Sequence, residues 1–185
     1  MTQRLSTQRI AFIGIILALA AAMEVVFMFL PSLPQGGRIS LSLIPIFVLA
    51  YKEGPWVGML GGALFGVINL MLSGFQLYGV WQSLFLDYVF AFGLAGAAGF
   101  IFAANKQNVF VFMGGILAGS FLRFLMHYLS GVLLFGAFAP EGTPAALYSL
   151  LYNGSYMVPS ALLMVLVGAL FFDRLKALNS PSDRM

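Results

Sequence analysis

Cysteine is absent from this 185-residue chain, which removes disulfides, thiolate catalysis and Cys-based metal sites together. Charge is scarce: 8% of residues are charged against 61% hydrophobic. The net charge of +3 comes from having few charges at all, and with no Lys/Arg cluster to track phosphates, the sequence points to no nucleic-acid partner. One histidine and no His-Glu-x-x-His leave no zinc site of the intramembrane protease type. There is no Walker motif, so ATP-driven work needs another subunit. Ser130 and Ser149 can each be paired with His127, but nothing marks either as a nucleophile. The sequence therefore offers no catalytic residues, no metal site and no cofactor site.

Long apolar runs are what the chain does have. A spanning helix needs roughly 20 apolar residues, and Ile10–Leu30, Trp56–Ser73, Val80–Ala104, Val109–Phe135 and Tyr148–Phe172 qualify. Met1–Arg9 resembles the n-region of a signal peptide, but the run after it is too long for an h-region. It reads as an uncleaved first transmembrane helix. A sixth run, Ser40–Tyr51, would span only roughly 18 Å at 1.5 Å per residue and needs Gln35–Ile39 to cross.

The basic residues support that sixth crossing. With the N-terminus in the cytoplasm, six spans put Arg4, Arg9, Lys52, Lys106, Arg174, Lys176 and Arg184 on the cytoplasmic side, seven of the nine Lys and Arg. Five spans would scatter them over both faces. The expected fold is an all-α integral membrane protein: six transmembrane helices in one bundle and one domain over 1–185, both termini cytoplasmic. The helices fall at roughly 8–30, 37–51, 55–74, 80–104, 108–136 and 146–173. Outer connections Pro31–Ile39 and Gly136–Ala146 are longer and richer in Pro and Gly than the cytoplasmic ones, as a lid over an outward-facing pocket would be.

Gly58, Gly62 and Gly66 lie four apart in the third helix, and Gly115 and Gly119 in the fifth; Gly14, Ala18 and Ala22 form a similar stripe in the first. Close backbone approach through small residues is a main attractive term between helices in lipid. Packing within the chain accounts for most of these stripes. That on the first helix is equally suited to another protein's helices.

Glu24, Asp87, Arg123 and His127 interrupt the apolar runs, and such groups face a cavity or a partner because a charge in lipid is costly. Glu24 stands near the end of its run and reads as an outer-interface residue. Arg123 and His127 share one helix face, and Asp87 and Tyr88 are adjacent on the helix before. With Tyr148, Tyr152 and Asn153, and flat faces from Phe135 and Trp81, they make a pocket suited to a small, flat heteroaromatic cation. An Asp87–Arg123 ion pair is compatible with that pocket, with Arg123 anchoring the carboxylate from beneath.

Several segments together resemble the thiamine-specific S component of energy-coupling factor (ECF) transporters. They are Pro34-Gln-Gly-Gly37, Leu43-Ile-Pro-Ile-Phe47, Leu86-Asp-Tyr-Val89, Leu122-Arg-Phe with His127-Tyr-Leu-Ser-Gly131, Gly136-Ala-Phe-Ala-Pro-Glu-Gly-Thr-Pro144 and Tyr148-Ser-Leu-Leu-Tyr-Asn153. The resemblance implies a bacterial plasma-membrane subunit that captures thiamine from outside. It implies partners as well: a membrane T subunit and two ATPase subunits that drive reorientation. By the resemblance, substrate-binding residues fall on Asp87, Tyr88, His127, Gly131, Phe135, Tyr148 and Asn153. Some members carry glutamate at Asp87 and tryptophan where this chain has Phe135, and the first outer loop offers Gly36 and Gly37 in place of an aromatic. The stripe that members dock on the T subunit is altered here to Ala11 and Ile15, with Gly14–Ala18–Ala22 as substitute. A thiamine precursor or another vitamin remains an alternative ligand, and a self-sufficient proton- or cation-coupled carrier an alternative class.

Overall fold

The computed structural model describes residues 6–75, 77 and 80–177; Arg4 and Arg184 lie outside them. Six helices carry the bundle, and no strand occurs among the described residues. They are α1 Thr7–Phe27, α2 Ile44–Glu53, α3 Pro55–Leu72, α4 Leu84–Phe102, α5 Val109–Leu133 and α6 Ala145–Ala177. All but α2 are long and apolar enough to cross a membrane.

Local chemistry sets the ends. The Ser6 hydroxyl accepts from Arg9 N at 3.2 Å, and Asn108 Oδ1 from Phe110 N at 2.8 Å, capping α1 and α5. Gly54 takes φ +93°, a conformation that a side chain would oppose, and Pro55 follows as the first residue of α3. The α2–α3 link is tight for that reason.

Two segments depart from the expected regular spans. The second crossing does not recruit Gln35–Ile39 as helix. Residues 37–41 run non-helically, and helix begins only at Ile44, beside Pro45. Non-helical backbone at membrane depth is tolerated where protein or a cavity receives its polar groups. Here α6 supplies the partners: Gly37 N–H donates to Tyr152 Oη at 3.0 Å and Ser40 N–H to Ser160 Oγ at 3.1 Å. The fourth span is broken as well. Leu84–Phe90 is wound as π-helix, and two short α-helical pieces, Ala91–Ala95 and Ala98–Phe102, follow.

The glycine stripes of α3 and α5 pack inside the chain. A methyl group on Gly62 would overlap the Phe92 carbonyl oxygen, and one on Gly66 the Tyr88 carbonyl oxygen. The α4 backbone thus rests directly on α3, and Gly66 fixes the stretch carrying Asp87 and Tyr88. Gly115 and Gly119 seat Phe102, Phe47 and the Ala95 carbonyl. Gly14 meets nothing, and the Gly14–Ala18–Ala22 face of α1 is exposed.

Basic residues gather at one end of the bundle. Arg9 Nε donates to Glu53 Oε2 at 2.5 Å, Lys106 Nζ to the Lys52 carbonyl at 3.4 Å, and Lys106 also lies over the Tyr51 ring. A plug of Tyr51, Phe102, Phe112 and Phe172, packed edge-on and stacked at 5.0–6.3 Å between ring centroids, fills the bundle beneath them. The opposite end is open.

Candidate functional site

At that open end lies a cavity of about 160 Å³, far more than the roughly 10–15 Å³ that one water needs. Its walls come from the ends of α1 and α3, the 35–40 segment, the start of α4, the C-terminal half of α5 and the start of α6. Asp87, Tyr88, His127, Gly131, Phe135, Tyr148 and Asn153 all line it.

Asp87 is the most heavily bonded group. His127 Nδ1 donates to its Oδ1 at 3.0 Å, and the hydroxyls of Ser83 and Ser130 each donate to Oδ2 at 2.6 Å. Ser83 lies one turn before Asp87 at the mouth of the π-helical segment, whereas His127 and Ser130 share a face of α5. Asp87 and Tyr88 are neighbours on this π-helical stretch, and both line the cavity. With its proton on Nδ1, the His127 ring carries a lone pair at Nε2, and that nitrogen is buried without a hydrogen-bond partner among the described residues.

The Asp87–Arg123 ion pair, which the sequence left open, does not form. No ion pair joins them among the described residues. Arg123 Cζ sits over the Phe92 ring, 4.4 Å from its centroid, and its buried Nε has no hydrogen-bond partner among the described residues. The physical reason is that Asp87 is already held by three short-range donors, so the guanidinium stacks on an aromatic face instead.

Asn153 is a structural keystone of the α5–α6 wall. Its amide donates to the Ser149 carbonyl at 3.0 Å and to the His127 carbonyl at 3.4 Å, and its oxygen accepts from Tyr156 Oη at 2.9 Å. Gly131 is required there, because a methyl group on it would overlap Ser149 Oγ. Tyr148 Oη donates to Gln35 Oε1 at 3.3 Å, joining the wall to the α1–α2 loop.

Two sequence expectations are corrected. Glu24 is not an interface residue: it is buried, 6% exposed, and lines the cavity. Ser42 and Ser40 hydroxyls donate to its Oε2 at 2.6 and 3.2 Å. Trp81 is not a pocket face either. It is 65% exposed, packs edge-on against Phe85 and is absent from the cavity wall. The sequence reading also passed over Gln35, Gly37, Arg38, Ser40, Tyr156 and Phe138, which all line the cavity. The Pro34-Gln-Gly-Gly37 block was the available signal. Gly36 adopts φ +86°, and a side chain on Gly37 would come within 2.6 Å of the Tyr156 ring.

Fold and cavity define a polytopic helical membrane protein with a polar, ligand-sized chamber enclosed by its own helices. Residues 10–179 match the Thiamine transporter protein family, and the chain belongs to that family, one of transport proteins rather than enzymes. It is 35% identical to the thiamine transporter ThiT of Bacillus subtilis strain 168, over 93% of this chain and 94% of that one. Against the thiamine transporter ThiT of Lacticaseibacillus paracasei it is 33% identical, over 83% of each chain. A solved structure of ThiT from Listeria monocytogenes superposes with a TM-score of 0.80, over 93% of this chain and 98% of that one. The identity there is 23%, and the likeness is one of fold.

Proposed function

We propose that this chain is the thiamine-capturing S component of an ECF importer, a single membrane domain in a bacterial plasma membrane. The observation that carries the reading is the convergence, in a chain of the thiamine transporter family, of all seven expected ligand residues on one cavity. The gathering of Arg9, Lys52, Lys106, Arg174 and Lys176 away from that cavity supports cytoplasmic termini and an outward-facing pocket.

Thiamine is a two-ring cation, and the chemistry of the wall suits it. The His127 ring, held in orientation by its bond to Asp87, packs against the aminopyrimidine, while its Nε2 stays buried in the wall. Tyr88 and the Tyr148 hydroxyl address the polar ring edges, and Phe135 offers an apolar face. Asn153 and Gly131 act by keeping α5 and α6 in register. The 31–43 and 134–144 segments close over the ligand. The exposed small-residue face of α1 receives the T subunit, and two ATPase subunits drive reorientation and release.

Vesicle uptake tests the partner requirement. Vesicles holding this chain alone should bind thiamine without accumulating it, and ATP-dependent accumulation should appear once T and ATPase subunits are added. Accumulation by the chain alone overturns the reading in favour of a self-sufficient carrier.

A further inference from the structure

The cavity holds a second carboxylate, and its bonding differs from that of Asp87. Asp87 uses both oxygens on protein donors from α4 and α5. Glu24 uses one: both serine hydroxyls bond Oε2, and Oε1 takes no hydrogen bond among the described residues. Nor is Oε1 sealed in, unlike Arg123 Nε and His127 Nε2, which are buried without partners. Neither cavity arginine touches Glu24: no ion pair joins it to Arg38 or Arg123 among the described residues, and Arg123 acts on it only through space.

A buried carboxylate with two hydroxyl donors, which feels Arg123 only through space and has no cation in contact, is incompletely compensated. A cationic ligand in the chamber supplies what is missing. From these contacts we infer that Glu24 is a ligand-contacting, specificity-determining residue, whose Oε1 meets the positive ring of the ligand. Asp87 instead organises His127. This rests on the reading of the chamber as a thiamine pocket and assigns within it the group that selects for positive charge. Ser40 and Ser42 hold Glu24 Oε2, so the segment that forms the outer loop also aims the selecting oxygen.

The test compares two ligands by calorimetry on the purified full chain: thiamine, and its counterpart with an uncharged thiophene in place of the thiazolium. Wild type should prefer thiamine. In Glu24→Gln, thiamine affinity should fall roughly ten- to a hundredfold, as for loss of a bond to a charged group, while affinity for the neutral counterpart changes less than about threefold. Asp87→Asn should weaken both ligands by similar factors, since both carry the aminopyrimidine. Should Glu24→Gln fail to fold, Glu24→Asp keeps the charge but shortens its reach, and thiamine should still lose more than the neutral ligand. Equal losses for both ligands, or no loss for thiamine, overturn the assignment and leave Glu24 as a strut for Ser40 and Ser42. A wild-type chain that binds neither ligand overturns the thiamine reading itself, before any variant is made.

Discussion

His127 and Asp87 are 40 positions apart in the chain, and the imidazole Nδ1 donates to the carboxylate Oδ1 at 3.0 Å. The bond ties α5 to the π-wound start of α4, so one contact sets a helix-to-helix distance and the orientation of a ring beside the cavity. Removing the carboxylate charge should loosen that ring. Asp87→Asn is expected to weaken thiamine binding by about 1.5–3 kcal/mol, the usual worth of a hydrogen bond to a charged group. The melting temperature should move little, because the Ser83 and Ser130 hydroxyls can rotate to bond an amide. Calorimetric Kd values and thermal melts on the same preparations check both parts.

The α5–α6 wall predicts a paired result. Gly131→Ala places a methyl group into Ser149 Oγ, and overpacking of this kind costs about 1–3 kcal/mol. Adding Ser149→Gly removes both the Oγ and the Cβ that the methyl meets, so the double variant should recover part of the lost stability. Thermal melts of the two single variants and the double variant measure the coupling.

A third expectation concerns the α1–α2 loop. Gly37→Ala puts a methyl group 2.6 Å from the Tyr156 ring and 3.0 Å from Tyr152 Oη, which displaces the loop and its bond to Tyr152. Thiamine should dissociate faster while the bundle melts at nearly its original temperature, since the helical core is untouched. Stopped-flow dissociation beside a thermal melt separates the two effects.

A buried and an exposed glycine should behave oppositely. Gly62→Leu drives a side chain into the Phe92 carbonyl and should abolish the monodisperse folded species. Gly14→Leu meets no atom of the chain and should leave folding and thiamine binding unchanged. Size-exclusion profiles in detergent with ligand titration give the comparison.

Much of this was legible in the sequence because charge in an apolar run has a single physical meaning. Asp87 and His127 declared themselves as groups needing a cavity, and the glycine stripes of α3 and α5 declared close helix packing. Glu24 was misread because its partners, Ser40 and Ser42, come from beyond the next loop, and uncharged serines leave no hydropathy signal. Whether Arg123 pairs with Asp87 was not legible for a related reason. Ser83 and Ser130 satisfy Asp87 at short range, so the guanidinium is not needed there. The irregular second crossing was visible only as a run too short to span. Its non-helical backbone depends on Tyr152 and Ser160, more than 100 positions away, which periodicity does not register.

The central claim is that the chamber binds thiamine, and calorimetric titration of the purified chain tests it most directly. Trp56 and Trp81 are both exposed and neither lines the cavity, so heat is a more direct readout than intrinsic fluorescence. Saturable one-to-one binding that is lost or strongly weakened in His127→Ala is the predicted result. No measurable heat from a folded, monodisperse wild-type preparation at any thiamine concentration contradicts it.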